Sequence, residues 1–548
     1  MYKILVFSMT RMGDIIQSIP FFRRLRKKHP HAQVDLLVES CFSDVAGFLP
    51  GIDNIIEVRL EDLLLCFDRK RGADFPSGIT YYRKLVDSLR RSGYGEVWNL
   101  THTKPFTVLS ALVGGEHANG VTLDDNGLQK VNKAWLKYFY ATNLSRPWCQ
   151  FNLVDIYANC IDGIPQDFGR SIKIAPQRYR DRYPQGYNPK YDSKRIAIHP
   201  GASQAAKMWP LAKYIDVAKR LSDSGREIVI IGGKSDRALG EQIARQCKAI
   251  NLVGKTSIPE LAAVLEDCDL LISNDSGPMH MAAAVGTQVI AITLGSALGS
   301  ETAPYGTDHW VIEPRVECFP CSAEKVCGRR NCADHISANH LIELVEACLL
   351  KRPLSAWMQN DTRIRLYKTA RDKDNGQLRL LRCGDDSDDI RESRNRLFRT
   401  LWPIWLENAS PGERDYTPID SGFRSVIEEI LCETRKAVKL CVRLAGCSPH
   451  SKESWTRIEI LHGELNQVDR KLNRLLASVD VLKSVLAYLM IEKGSVGGHT
   501  LQEQARQTAQ VYSDLTRMLS ASLPEGPQTE SQKKEDKEVC YENLPEWS

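Results

Sequence analysis

The chain has 548 residues, 43% of them hydrophobic and 26% charged, with a formal net charge of +5. That length exceeds what one core can organise and predicts roughly two to four domains, while so mild a charge, with no nucleic-acid-binding motif, gives no reason to expect nucleic acid as a partner. No apolar run reaches the length of a membrane span, and the run Ile4 to Phe7 is too short for a signal peptide, so a cytoplasmic location is expected. Most of the sixteen cysteines stand singly on apolar faces and read as reduced core residues.

Residues 2–8 read as a first strand, 9–14 as a tight loop with one glycine, and 15–29 as an amphipathic helix that stops before Pro30. Further strands are expected at 34–38, 55–58 and 96–100. This βαβ alternation predicts a parallel, doubly wound sheet. The first loop lacks G-x-G-x-x-G, which argues against a nicotinamide cofactor. It carries Asp14 instead, at the carboxyl edge where ligands of such sheets bind. Residues 60–80, with the run Asp68-Arg-Lys-Arg71, read as an exposed insertion, and the interdomain hinge is placed near 175–192.

The pattern then restarts. Residues 195–201 form a strand running into a glycine loop that continues to Trp209 and includes Lys207. A helix at 210–222, a strand at 227–233, a helix at 236–247, a strand at 251–254 and a helix at 258–266 follow. Gly232-Gly-Lys-Ser235 looks like the end of a phosphate-binding loop, but the glycine required upstream is Ile228, so that reading fails. Asp267-Cys-Asp269 reads as structural. Residues 269–272 form a buried strand, and a polar turn leads into a helix stopped by Gly286. Asp275 and Ser276 stand where a cap belongs, and Pro278 suits a first helical turn. Such a helix start suits a phosphate, and it equally suits a purely structural cap.

Cys318, Cys321, Cys327 and Cys332 lie within fifteen residues. Their spacing reads as a closed, structural thiolate site for zinc or iron, or else as four reduced cysteines. Residues 353–422 look irregular and charged, with an acidic run at 385–389 and Trp402 and Trp405. From Ile458 to Leu489 apolar residues follow a 3–4 spacing, which specifies a packed seam: an intramolecular helical bundle, or a coiled coil that makes oligomers. Residues 521–548 read as a disordered tail.

Four motifs in order carry a resemblance. They are Met9-Thr-Arg-Met-Gly-Asp14 with residues 15–20, His199-Pro-Gly-Ala202, Lys207-Met-Trp-Pro210, and Asn274-Asp-Ser-Gly-Pro-Met-His280. Over about residues 1–350 the chain resembles the ADP-heptose–lipopolysaccharide heptosyltransferases, glycosyltransferase family 9. The resemblance implies a GT-B fold: an acceptor-binding Rossmann-like domain at 1–180, a nucleotide-sugar domain at 190–352, a linker at 353–422 and an appended helical domain at 423–520. It implies inverting transfer from ADP-L-glycero-D-manno-heptose to a lipopolysaccharide inner-core acceptor, with no catalytic metal. Asp14 matches the base position and Lys207 the phosphate-contacting lysine. Ser203 adds a hydroxyl where some members have two adjacent threonines. Asp275, Ser276 and Gly277 match the donor loop, with Asp275 assigned to sugar hydroxyls because a carboxylate would repel phosphate. His280 lies one turn further on, and Asp236 is placed to meet the ribose. Arg11 is the candidate for an acceptor anion, and the basic stretch Arg23 to Lys28 for an anionic glycolipid at the inner membrane surface, or else for the helix dipole. Two other readings stand beside this one: the same chemistry on a protein acceptor, which the cysteine cluster favours, and a non-catalytic nucleotide-sugar-binding scaffold.

Overall fold

A computed structural model describes the chain except residues 9–10, 65–74, 102, 144, 166–168, 170, 174–182, 185–186, 189–193, 323–326, 328–329, 385–388, 410–418, 499 and 524–548. The expected insertion at 60–80 is helical on both flanks (Leu60–Leu64 and Phe75–Arg91), while its middle, residues 65–74, with most of the 175–192 hinge, most of the acidic 385–389 run and nearly all of the C-terminal tail, lies outside the described residues. The chain divides into two compact units. One comprises residues 1–130 and 151–387, the other residues 131–150 and 388–548.

The first unit holds two sheets. Its N-terminal sheet runs β1 (Lys3–Phe7), β2 (Gln33–Glu39), β3 (Asn54–Val58), β4 (Glu96–Asn99), β5 (Ala118–Leu123) and β6 (Gln129–Val131) in the spatial order β3-β2-β1-β4-β5-β6. Ile4 to Phe7 is apolar on both faces and wholly buried, as a central parallel strand requires. Parallel pairing of β1 with both β2 and β4 puts the topological switch beside β1. The loop after β1, with Asp14, therefore opens at the crevice where such sheets bind ligands.

The second sheet contains β7 (Arg195–His199), β8 (Glu227–Ile230), β9 (Ala249–Asn251), β10 (Leu270–Asn274), β11 (Gln288–Ile292), β12 (Trp310–Pro314), β13 (Ile364–Arg371) and β14 (Leu378–Cys383). Their order is β14-β13-β12-β11-β10-β7-β8-β9. Strands β7 to β12 pair in parallel, and the switch falls between β7 and β10. The loops after those two strands carry the His199, Lys207 and Asn274 motifs. Two doubly wound domains with facing loops make this a GT-B architecture.

Residues 353–422 are not an irregular linker. β13 and β14 add to β12 as an antiparallel edge. β13 is buried on both faces, through Ile364 and Leu366 on one and Arg365, Tyr367 and Thr369 on the other, and Lys368 lies over the Trp310 ring. The segment therefore extends the second sheet, and a helix at Ile390–Leu406 follows.

The basic stretch of the Ile19–Lys28 helix is also mostly structural. Arg24 is buried and donates to the carbonyls of Ile164 (3.0 Å) and Pro165 (2.9 Å). Arg23 donates to the carbonyls of Ser171 and Lys173. Arg26 donates to the carbonyl of Ala32 (2.6 Å) and pairs with Asp53 at 2.7 Å. These guanidiniums are committed to holding loops, which removes them from any glycolipid-binding surface.

The second unit is all-helical: Ala134–Asn143, Ile390–Leu406, Ser421–Ala445, Lys452–Ser478, Asp480–Gly494 and Leu501–Ser520. The leucine spacing from 458 to 489 does not lie on one continuous helix. Val479 is extended (φ −124°, ψ 128°) and ends one helix while starting the next. Ile458, Leu461, Leu465 and Leu472 are buried within the chain's own bundle. Trp402, Trp405, Tyr488 and Tyr138 form its aromatic centre, with ring centroids 4.7–6.1 Å apart. Among the described residues no helix is long and apolar enough to cross a membrane.

Candidate active site

The site grows from two helix starts, one from each doubly wound domain. The helix Met12–Gln17 begins after Arg11, whose extended backbone takes the cap position. Asp14 is therefore a residue of the first turn rather than the cap, where a carboxylate is favoured by the helix dipole. It is half-buried, and Arg11 is exposed. The second helix, Gly277–Val285, begins after Ser276 with Pro278 in its first turn, and stops at Gly286, whose φ of +94° suits glycine.

These two helices pack against each other. Gly13 lies so close to His280 that a Cβ on it would stand 2.8 Å from the ring Cδ2. A Cβ on Gly277 would stand 2.4 Å from Met12 Cε. Two glycines thus let the Asp14 turn meet the 275–280 turn. Met12 and Gly13 belong to this meeting point although only Asp14 and Arg11 were singled out in the sequence; that loop carries a single glycine, and its partner lies in the other domain.

Behind the helix start, Asn274 fastens three segments together. Its side-chain amide donates to the carbonyls of Pro200 (2.9 Å) and Gly201 (3.1 Å), and its Oδ1 accepts the Trp209 N–H at 2.9 Å. The buried Trp209 ring, hydrogen-bonded to the Ile336 carbonyl at 3.1 Å, anchors the same loop. The Lys207 side chain is thereby delivered to the helix start. Its Nζ donates to Asp275 Oδ2 at 2.7 Å, and both residues are buried.

Burial alone would raise the Asp275 carboxyl, but the Lys207 ammonium outweighs it and holds Asp275 below the usual carboxylate range. His280 Nε2 lies 4.0 Å from Asp275 Oδ1. Burial, joined by the Lys207 charge, pushes His280 down to about 4 against the opposing pull of Asp275, so the ring is neutral at pH 7. The expected meeting of Lys207 with a phosphate is thus qualified: one of its three donors already serves Asp275.

Ser276 and Gly277 open the same helix, with the Ser276 hydroxyl 3.0 Å from His199 Nδ1. Ser203 is exposed on the loop before Lys207. Asp236, expected to meet the donor ribose, is engaged within the chain. Its Oδ2 accepts the Gly233 N–H at 2.9 Å and lies 3.6 Å from His199 Nε2. Burial works against its charge, yet His199 and the Gly233 N–H keep it below the usual carboxylate range. In the sequence His199 and Asn274 stand only as motif letters. Their position at the ends of β7 and β10, the two strands at the switch, is the signal that marks them.

The metal site expected at the four cysteines finds no ligand group in the described side chains. Among the described residues no group of three or more His, Cys, Asp or Glu side chains could hold a metal ion. Cys318 faces solvent, Cys321 is fixed by its N–H to the Gly295 carbonyl at 2.7 Å, and Cys332 packs beside the core of the second sheet. Burial raises the Cys321 and Cys332 thiols, with the other thiols of the loop adding to it.

Residues 148–328 match the family model of glycosyltransferase family 9 (heptosyltransferase). Lipopolysaccharide heptosyltransferase 3 of Escherichia coli is 25% identical over 288 residues, covering 51% of this chain and 80% of that protein. Lipopolysaccharide heptosyltransferase 2 of Escherichia coli is 25% identical over 311 residues, covering 53% and 82%. Among solved structures, a family 9 glycosyltransferase from Veillonella parvula aligns with a TM-score of 0.49 at 22% identity, covering 64% of this chain and 98% of that one. The E. coli ADP-heptose lps heptosyltransferase II aligns with a TM-score of 0.47 at 21% identity, covering 64% and 99%. Residues 148–328 thus carry the family 9 match, and this chain is a glycosyltransferase similar to the lipopolysaccharide heptosyltransferases.

Proposed function

We propose that the chain transfers a heptose from ADP-L-glycero-D-manno-heptose to a lipopolysaccharide inner-core acceptor, with inversion at the anomeric carbon. The observation that carries this reading is the close approach of the Asp14 helix to the 275–280 turn through Gly13 and His280. Inverting transfer needs a base on the acceptor hydroxyl and stabilisation of the leaving diphosphate. Asp14 is the base. Lys207 and the amides at the start of the Gly277–Val285 helix receive the diphosphate charge. Asp275, fixed by Lys207, accepts from sugar hydroxyls, and neutral His280 lies beside them. Gly277 allows close approach of the backbone, Ser203 edges the phosphate loop, and Asp236 stands at the ribose end. Arg11, exposed beside the base, meets an anionic group of the acceptor.

The names of the relatives support the donor and acceptor classes. Residues already in the site supply the base and the charge stabilisation that the step asks for. The test is ADP release from ADP-heptose in the presence of acceptor. Asp14→Asn is expected to lower kcat by about 10²–10⁴ with little change in donor affinity. An Asp14→Asn enzyme that turns over like the wild type would remove the base assignment. Mass spectrometry of the in-cell product separates a glycolipid from a protein acceptor, and sugar found on protein alone would overturn the acceptor class proposed.

A further inference from the structure

One buried titratable side chain in this crevice has no part in the transfer described above. His199 ends β7 and is 4% exposed. Its Nδ1 lies 3.0 Å from Ser276 Oγ and 3.3 Å from Ser273 Oγ, and its Nε2 lies 3.6 Å from Asp236 Oδ2. A carboxylate only accepts, so the tautomer that suits Asp236 carries its proton on Nε2 and leaves Nδ1 as an acceptor. The Ser273 hydroxyl donates to the Asn274 carbonyl at 2.8 Å, which uses its one proton. Ser276 Oγ also lies 3.0 Å from Ser273 Oγ, so with that proton spent the Ser276 hydroxyl is the donor of the set, its proton shared between His199 Nδ1 and Ser273 Oγ.

Ser276 is the cap residue of the Gly277–Val285 helix, yet its side chain makes no capping bond. A serine in that position ordinarily accepts a first-turn N–H. Ser257, Ser337 and Ser355 do so at their own helices in this chain. The same first turn holds a second unsatisfied group: among the described residues, buried His280 Nδ1 has no hydrogen-bond partner. Asp236 is held firmly enough to orient His199, since a Cβ on Gly201 would stand 2.5 Å from its Oδ1.

We propose that His199, oriented by Asp236, is a positioning residue that holds the Ser276 hydroxyl off the helix amides and so keeps them open for the donor diphosphate. This rests on the donor reading given above. Losing His199 frees Ser276 to cap its own helix and compete with the ligand.

The probe is ADP, titrated calorimetrically into the full-length protein. His199→Ala is expected to bind ADP roughly fivefold more weakly, the equilibrium worth of a typical serine cap. Adding Ser276→Ala to that background is expected to restore affinity to within about twofold of wild type, because the competing cap is gone. A purely structural His199 would show no such rescue. Wild-type affinity in His199→Ala, or a defect that Ser276→Ala leaves unchanged or deepens, overturns the inference and leaves the donor reading standing. A wild-type protein that does not bind ADP overturns the donor reading and this inference with it. Thermal unfolding checks each variant. Should His199→Ala not fold, His199→Gln, which keeps the volume but withdraws the Nδ1 acceptor, takes its place in the same pair of titrations with the same expected and overturning results.

Discussion

Lys207 and Asp275 are buried together, so each is costly without the other. Removing one partner of a buried pair leaves an uncompensated charge, at about 3–5 kcal/mol, whereas removing both is far milder. Lys207→Met should therefore destabilise the protein by roughly that amount in urea titrations, and Lys207→Met/Asp275→Asn should recover most of the loss. Activity should fall in both, because neither restores the cation at the diphosphate. A double variant no more stable than Lys207→Met would show that the 2.7 Å contact is not what holds Asp275 ionised. The individual letters of this site were legible in the sequence, since each stands at the carboxyl end of a strand or at a helix start. Their pairing was not: Lys207 and Asp275 are far apart in the chain, and charge type and spacing do not say that one neutralises the other.

Among the elements, the approach of the Met12–Gln17 helix to the Gly277–Val285 helix is set by two glycines that differ in what lies opposite. Gly13 faces a buried imidazole ring, and Gly277 faces the flexible tip of Met12. Gly13→Ala should cost about 1–3 kcal/mol, as overpacking does, and depress transfer by parting the helices. Gly277→Ala should be milder in stability, because a methionine tip moves aside. Urea titrations and ADP-release rates on the two variants check this, and equal costs would contradict it. The strand–helix alternation that frames these helices could be read from apolar runs. The β13–β14 hairpin could not, because Arg365, Lys368 and Arg371 interrupt the apolar residues of β13, and Arg379 and Arg382 those of the edge strand β14. Nor could the break at Val479, where the apolar spacing runs on and neither glycine nor proline marks the end of the helix.

For the whole molecule, buried histidines set the acid limit. Burial pushes both His280 and His309 down to about 4 from an ordinary value of 6.5. Between those values the unfolded chain binds protons that the folded chain does not, so stability is full above about 6.5 and falls as pH drops toward about 4. His309 Nδ1 accepts the Val289 N–H at 3.2 Å, a bond that requires the neutral ring. Urea midpoints across this range should decline, and His309→Asn, which keeps an acceptor for that N–H, should flatten the decline. A midpoint that rises on acidification would contradict the burial argument.

The helical unit also takes in residues 131–150, from far upstream of its other members. In a chain made from its N-terminus, the Ala134–Asn143 helix emerges long before the helices that bury Trp135, Leu136 and Tyr138. At ordinary ribosomal speeds that interval is on the order of ten seconds or more. An apolar helix must wait that long on the nascent chain without its partners, a window in which a chaperone could hold it. The helices after residue 388 are therefore not a detachable appendage, because the ribosome has already released part of their core.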